Sequence, residues 1–370
     1  MTDGWRDRTL LDLLGGYGLD LLPEHDFPTD GWSGATFTSL VDGFGRRFVL
    51  KRTSLAIDWI ARATHDVDLR EGWLAALPPG SMAWMPRSMA PYFGAAADGD
   101  GVAILSPDLS NELIAWERPG HDPTIDRETL ARVIRAMARL HAVPWSRVLE
   151  GALARDADTA LPWCPLPERL TLLAPASAAR YSEEGNSVGE RFLTGWAAFD
   201  ARASAGARDL VERLGADPGP LVAALGGLPS VGLHGDLKLA NVALLPDEGV
   251  SFIDWQMTLQ APVAVELGWF LVSNSASLPI APDEVLDGYR EALQWDSGRW
   301  GTEGHEHDFA GLAGDWEVQR DLTWIVGLLL RGWRKGLDAE AGVSLPSGRS
   351  AADDLAWWCD QATQAAGRRL

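Results

Sequence analysis

Two short apolar runs, Val242 to Leu245 and Val250 to Ile253, flank the turn-forming stretch Pro246-Asp247-Glu248-Gly249, and this segment constrains the fold more than any other part of the chain. The pattern predicts a β-hairpin. Antiparallel pairing sets the start of one strand beside the end of the other. Asn241, just before the hairpin, and Asp254, just after it, are therefore expected to face one small volume although 254 − 241 = 13 positions separate them.

Magnesium takes hard oxygen donors, usually one or two from the protein, and completes its shell with phosphate oxygens and water. The Asn241 amide and the Asp254 carboxylate fit that demand. Asp236 lies five residues before Asn241, on the loop entering the hairpin, where a carboxylate is placed to accept the proton of an attacking hydroxyl and aim its oxygen at a γ-phosphate. Lys238, two positions later, would neutralise charge on the transferring group. The run from His234 through Gly235, Asp236 and Lys238 to Asn241, followed by Asp254-Trp255, resembles the catalytic loop and metal-binding aspartate of the aminoglycoside phosphotransferase and choline kinase-like family. His234, Asp236, Asn241, Asp254 and Trp255 match that pattern residue by residue. The resemblance implies an α+β, two-lobed protein-kinase-like fold with a small antiparallel-sheet N-lobe and a mainly helical C-lobe. Residues 1–105 would form the nucleotide-binding lobe, 106–110 a hinge, and 111–370 the catalytic and substrate-binding lobe.

The upstream sequence supplies a nucleotide lobe in the right order. Ala35 to Val41 reads as a strand, Asp42-Gly43-Phe44-Gly45 as a turn and Arg47 to Lys51 as the partner strand. The resemblance assigns Lys51 to the α- and β-phosphates. Glu71, on a helix predicted over Val67 to Leu77, would hold its ammonium. Gly31-Trp32-Ser33-Gly34 could close over the nucleotide, Ser33 meeting phosphate oxygens, although it is no GxGxxG loop and two glycines in a turn more often serve only the turn. The strand Val102 to Leu105 runs into Ser106-Pro107-Asp108-Leu109-Ser110, which suits the hinge. Because Pro107 lacks an N–H, Ser106 or Leu109 would have to donate to the adenine edge.

Asp126 to Ala142 is predicted as the central helix of the large lobe, with His141 a buried or capping residue rather than a catalytic one, and Asp200 to Gly227 reads as a helix and turn. In the related family a second aspartate follows the metal-binding one and braces the catalytic loop; here Glu266 replaces it. Cys164 and Cys359 are expected as reduced structural thiols, and His305-Glu306-His307-Asp308 as a solvated loop.

The net charge of −20 disfavours a nucleic-acid partner. It suits a cationic small molecule carrying the acceptor hydroxyl, or serves plain solubility. Glu183, Glu184, Asp296, Asp315 and Glu317 are candidates to line such a groove. Trp295, Trp300, Trp316, Trp324 and Trp333 would be either its walls or core. No secretory pattern opens the chain and Leu322 to Leu330 is too short to span a bilayer, so a cytoplasmic protein with no membrane partner is expected. The whole reads as a kinase moving the γ-phosphate of ATP or GTP, with Mg2+, to a hydroxyl of an aminoglycoside-like or other small molecule. The alternative is a catalytically silent nucleotide-binding module of the same fold.

Overall fold

The computed structural model describes residues 4–20, 32–77, 90–114, 124–143, 145, 163–247, 249–300 (backbone alone over 295–300) and 314–370. These residues divide into two compact units, one within Met1–Ile114, Pro144–Cys164 and Asn241–Thr258, the other within Ala115–Val143, Pro165–Ala240 and Leu259–Leu370.

The first unit is built on four antiparallel strands, β1 (Thr36–Val41), β2 (Arg47–Thr53), β3 (Gly94–Asp98) and β4 (Gly101–Pro107), in the order β1-β2-β4-β3. Alternation along the strands sorts side chains to two faces. Leu40, Phe48, Leu50, Ala103 and Leu105 pack with Leu13 and Leu14 of helix α1 (Leu10–Gly15). Val102 and Ile104 pack instead with Ala61 of α2 (Trp59–Ala63) and Ala75 of α3 (Arg70–Ala75). Lys51 lies opposite Ile104 in the β2–β4 register and so shares that second face. Helix α3 sits close on the sheet because residue 72 is glycine: a Cβ there would lie 2.6 Å from Val102 Cγ2. The predicted hairpin belongs to this unit as β5 and β6 of its own numbering below.

The second unit is mainly helical. Helix α4 (Arg127–His141) is capped by Asp126, whose carboxylate accepts the Thr129 N–H, and it buries the apolar stripe Leu130, Val133, Ile134, Met137 and Leu140. There follow α5 (Leu166–Thr171), α6 (Pro175–Glu183), α7 (Ser187–Asp200), α8 (Ala205–Ala216) and α9 (Gly219–Leu225). The segment read as one helix and a turn is thus two helices. Asp217 leaves the helical conformation, and its side chain accepts the Gly219 N–H where the next helix begins.

The short strand Val231–Leu233 pairs antiparallel with Leu259–Ala261, and between them in sequence comes the hairpin of the first unit, β5 (Val242–Leu244) with β6 (Val250–Phe252). Helix α10 (Val263–Ser273) is buried on every side. It is followed by α11 (Pro282–Trp300), the long α12 (Trp316–Glu340) and α13 (Ala351–Arg369). The backbone of α12 leaves helical geometry at Arg331, with φ −141° and ψ 21°. No described helix is long and apolar enough to cross a membrane. Cys164 and Cys359 are buried free thiols.

Helices α10 and α12 cross at glycines. A Cβ on Gly268 would lie 2.7 Å from the Thr323 carbonyl oxygen, and one on Gly327 would lie 3.0 Å from the Gly268 carbonyl oxygen and 2.6 Å from the Trp358 ring of α13. Gly268→Ala and Gly327→Ala should each cost about 1–3 kcal/mol through overpacking. Gly367→Ala, at a helical position with open space around it, should be neutral or slightly stabilising. Calorimetric melting of the three variants checks this; equal melting temperatures would refute the close crossing.

Candidate active site

The first unit gathers three of the residues singled out by sequence. Lys51 Nζ donates to Glu71 Oε2 and to Asp254 Oδ1, each at 2.6 Å. Burial alone would lower the lysine pKa, but the charges of Asp254 and Glu71 outweigh it and hold the ammonium well above its ordinary value. Glu71 is held from its other side, since Tyr92 Oη donates to Glu71 Oε1 at 2.6 Å and accepts the Trp255 N–H at 3.4 Å. Burial, with the adjacent Glu71 charge, pushes the Tyr92 phenol up, so it remains a donor. Arg70 fixes the same segment by donating to the Gln256 carbonyl at 3.0 Å, and Gln256 Nε2 donates to Asp58 at 2.7 Å.

The hairpin sets the metal-ligand candidates. Val242 pairs with Phe252, and the next pair outward is closed by the Ile253 N–H donating to the Asn241 carbonyl at 3.0 Å. Asp254 follows in the left-handed region, φ 65° and ψ 62°, which aspartate tolerates better than most residues. The buried Trp255 then anchors the turn through its indole N–H on the Phe252 carbonyl at 2.7 Å. The hairpin thus brings the Asp254 carboxylate beside the Lys51 ammonium and the Asn241 backbone to the same hairpin end.

The loop before the hairpin belongs to the second unit and is organised by one carboxylate. Glu266, fully buried on α10, accepts the N–H of His234 at 2.7 Å and of Gly235 at 2.9 Å, with Leu237 N at 3.4 Å. His141 Nε2 lies 3.4 Å from Glu266, and its Nδ1 is 2.7 Å from Tyr289 Oη. Burial would raise the Glu266 pKa, but the hydrogen bond and charge of His141, together with His234, bring it below its ordinary value. Arg169 grips the same loop by donating to the Gly235 carbonyl at 2.9 and 2.7 Å, and Asn274 accepts the Leu239 N–H at 2.9 Å. Asp236 pairs with Lys238 at 3.1 Å.

Other candidates fall elsewhere. Ser33 Oγ accepts the Ala35 N–H at 3.3 Å, a local turn contact. Ser106 sits in β4 opposite Val49, and the Leu109 carbonyl accepts from Glu112 and Leu113. Glu183 and Glu184 are exposed at the end of α6, Glu317 is exposed and pairs with Arg320, and Asp315 is exposed at the start of α12. Trp316, Trp324 and Trp333 are buried and read as core. Gly31 and the 305–308 stretch lie outside the described residues, as do the side chains of Trp295, Asp296 and Trp300. Sequence reasoning missed Tyr92, Arg70, Arg169 and Asn274, which act through contacts distant in the chain and carry no local motif.

The family described as the phosphotransferase enzyme family, APH, matches residues 27–302, most of the chain. The chain belongs to this family. No curated protein is similar enough to match it. Among solved structures, macrolide 2'-phosphotransferase MphH from Brachybacterium faecium is similar at 19% identity over 95% of this chain and 96% of that one, with a TM-score of 0.41. An aminoglycoside phosphotransferase from Alicyclobacillus acidocaldarius gives 16% identity over 96% and 91%, TM-score 0.34. Amicoumacin kinase hAmiN, in complex with AMP-PNP and Ca2+, gives 12% over 94% and 88%, TM-score 0.46.

Glu266 sets an acid limit on this phosphotransferase. Its pKa in the folded chain lies below the ordinary 4.5, so the native state binds fewer protons than the unfolded one in that window. The stabilisation is full above that ordinary value and is lost as pH falls through the depressed folded value. Glu266→Gln should cost about 1–3 kcal/mol near neutrality. The gap to wild type should shrink as pH falls below the ordinary 4.5. Urea unfolding across that range tests it, and a gap independent of pH would contradict the assignment.

Proposed function

We propose that this chain transfers the γ-phosphoryl group of ATP or GTP to a hydroxyl of a small molecule. The observation that carries the reading is the Lys51 ammonium held between Glu71 and Asp254, at the end of the hairpin that also bears Asn241. An ammonium has three N–H donors, and the two engaged here leave one for an α- or β-phosphate oxygen. Asn241 and Asp254 would hold a divalent ion, Mg2+ in this reading, which when bound with nucleotide neutralises charge on the transferring phosphates. Asp236 orients the acceptor hydroxyl and takes its proton, and Lys238 stabilises charge on the γ-phosphate. Ser33, Ser106 and Leu109 remain candidate contacts to the nucleotide. Catalysis of this kind rests on positioning and electrostatics.

The acceptor's charge is open to two influences. The net charge of −20 favours a cationic compound at long range. Cations also lie at the Asp236 loop: Lys238, paired with Asp236, and Arg169, bonded to the adjoining Gly235.

Asp236→Asn should lower turnover by about 10²–10⁴ while leaving nucleotide affinity unchanged. Asp254→Ala should abolish magnesium-dependent nucleotide binding. Steady-state assays across a panel of hydroxyl compounds, with calorimetric titration of the nucleotide, read both. Full turnover in the Asn variant would refute the role of Asp236, and wild type that binds nucleotide without any turnover would favour the silent module.

A further inference from the structure

Beside the Asp236 loop the second unit holds a buried cation that, among the described residues, rests on aromatic rings and has no carboxylate or hydrogen-bond acceptor bonded to it. Arg331, at the break in α12, is 5% exposed, and its guanidinium carbon lies 5.2 Å from the centre of the Trp269 ring and 5.3 Å from that of Trp333. Among the described residues it makes no ion pair, and its Nε is buried with no acceptor. Trp269 is also buried, and its indole N–H likewise has no acceptor. The place is fixed relative to the catalytic loop by Arg169, which lies 4.3 Å from the same Trp269 ring and donates twice to the carbonyl of Gly235, the residue before Asp236.

The carboxylates around Arg331 are already engaged. Asp236 pairs with Lys238 and Asp338 with Arg334, both at 3.1 Å. Burial, with the nearby Arg334 charge, pulls the Arg331 pKa down to about 10, against the opposing pull of Asp236 and Asp338, so the group stays charged at neutral pH. Arg191 adds a further positive charge. A buried guanidinium is retained only where something compensates it, and an indole N–H in the same place compounds the cost. The surplus is of donors and positive charge, which an acceptor-rich, negatively charged group would relieve most fully.

We propose that Arg331 and Trp269 form a subsite for a carboxylate carried by the molecule whose hydroxyl is phosphorylated, so that the acceptor is a hydroxy acid rather than a polycation. The proposal rests on the phosphotransferase reading for the role of Asp236, but binding at the subsite needs no nucleotide. Arg331 thus selects the acceptor, while Asp236 addresses its hydroxyl.

Calorimetric titration at constant ionic strength, without nucleotide, compares D-glycerate, L-tartrate and D-gluconate with glycerol, erythritol and glucitol. At least one acid should bind about tenfold or more tighter than its alcohol, a difference of about 1.4 kcal/mol. Arg331→Gln should erase that preference, Arg331→Lys should keep the charge but lose the forked donor geometry and most of the preference, and Trp269→Phe should reduce it several-fold. The lysine and phenylalanine variants carry the test if the glutamine variant fails to fold. No preference for any acid in wild type, or a preference that survives Arg331→Lys and Trp269→Phe together, overturns the subsite. A magnesium-nucleotide titration run alongside reports on the kinase reading separately, because its failure would leave the acid preference intact.

Discussion

A lysine buried in the first unit is the interaction on which that unit is organised. An ammonium taken out of water needs close carboxylates, and breaking a buried pair by removing one partner costs about 3–5 kcal/mol. Lys51 draws Glu71 from α3, 20 residues on, and Asp254 from beyond the hairpin, 203 residues on. Each attachment is then reinforced by neighbouring groups. Gly72 lets α3 approach the sheet, Tyr92 closes the second oxygen of Glu71, and Arg70 ties α3 to the Gln256 backbone. The geometry proposed to receive phosphates is therefore part of what holds the unit together.

The second unit solves the opposite problem with backbone. Among the described residues Glu266 is a buried anion with no lysine or arginine bonded to it; loop N–H groups and His141 compensate it instead. A charge compensated this way fixes the path of the chain from His234 to Leu237 more tightly than a single ion pair would, because several donors must converge on two oxygens. Arg331 stands apart from both cases, a buried charge set against the rings of Trp269 and Trp333 with no ion pair among the described residues.

What could be read from sequence followed the range of the signal. The hairpin was legible because its two apolar runs and its turn are adjacent in the chain, and the structure pairs Val242 with Phe252. Helix α4 was legible from its Asp126 cap and its 3.6-residue stripe. The pairing of Lys51 and Glu71 was accessible through family resemblance alone, since either residue by itself looks like an ordinary surface charge. Tyr92, Arg169, Trp269 and Arg331 gave no warning: their contacts span 21 to 163 residues or join helices whose approach no local pattern encodes. The break between α8 and α9 was missed for the reverse reason, an Ala- and Leu-rich background masking the turn chemistry of Asp217-Pro218-Gly219.

The interrupted path of the chain through its two units has a consequence for synthesis. The first unit takes its hairpin from residues 241–258, after the chain has contributed 165–240 to the other unit. At about 5–20 residues per second, Asp254 leaves the ribosome some 10–40 s after Lys51. During that interval the sheet of the nascent protein carries a lysine that lacks one of its two carboxylates, and cannot bury it at full stability. The N-terminal part of the unit therefore reaches its full stability only after translation has passed the hairpin.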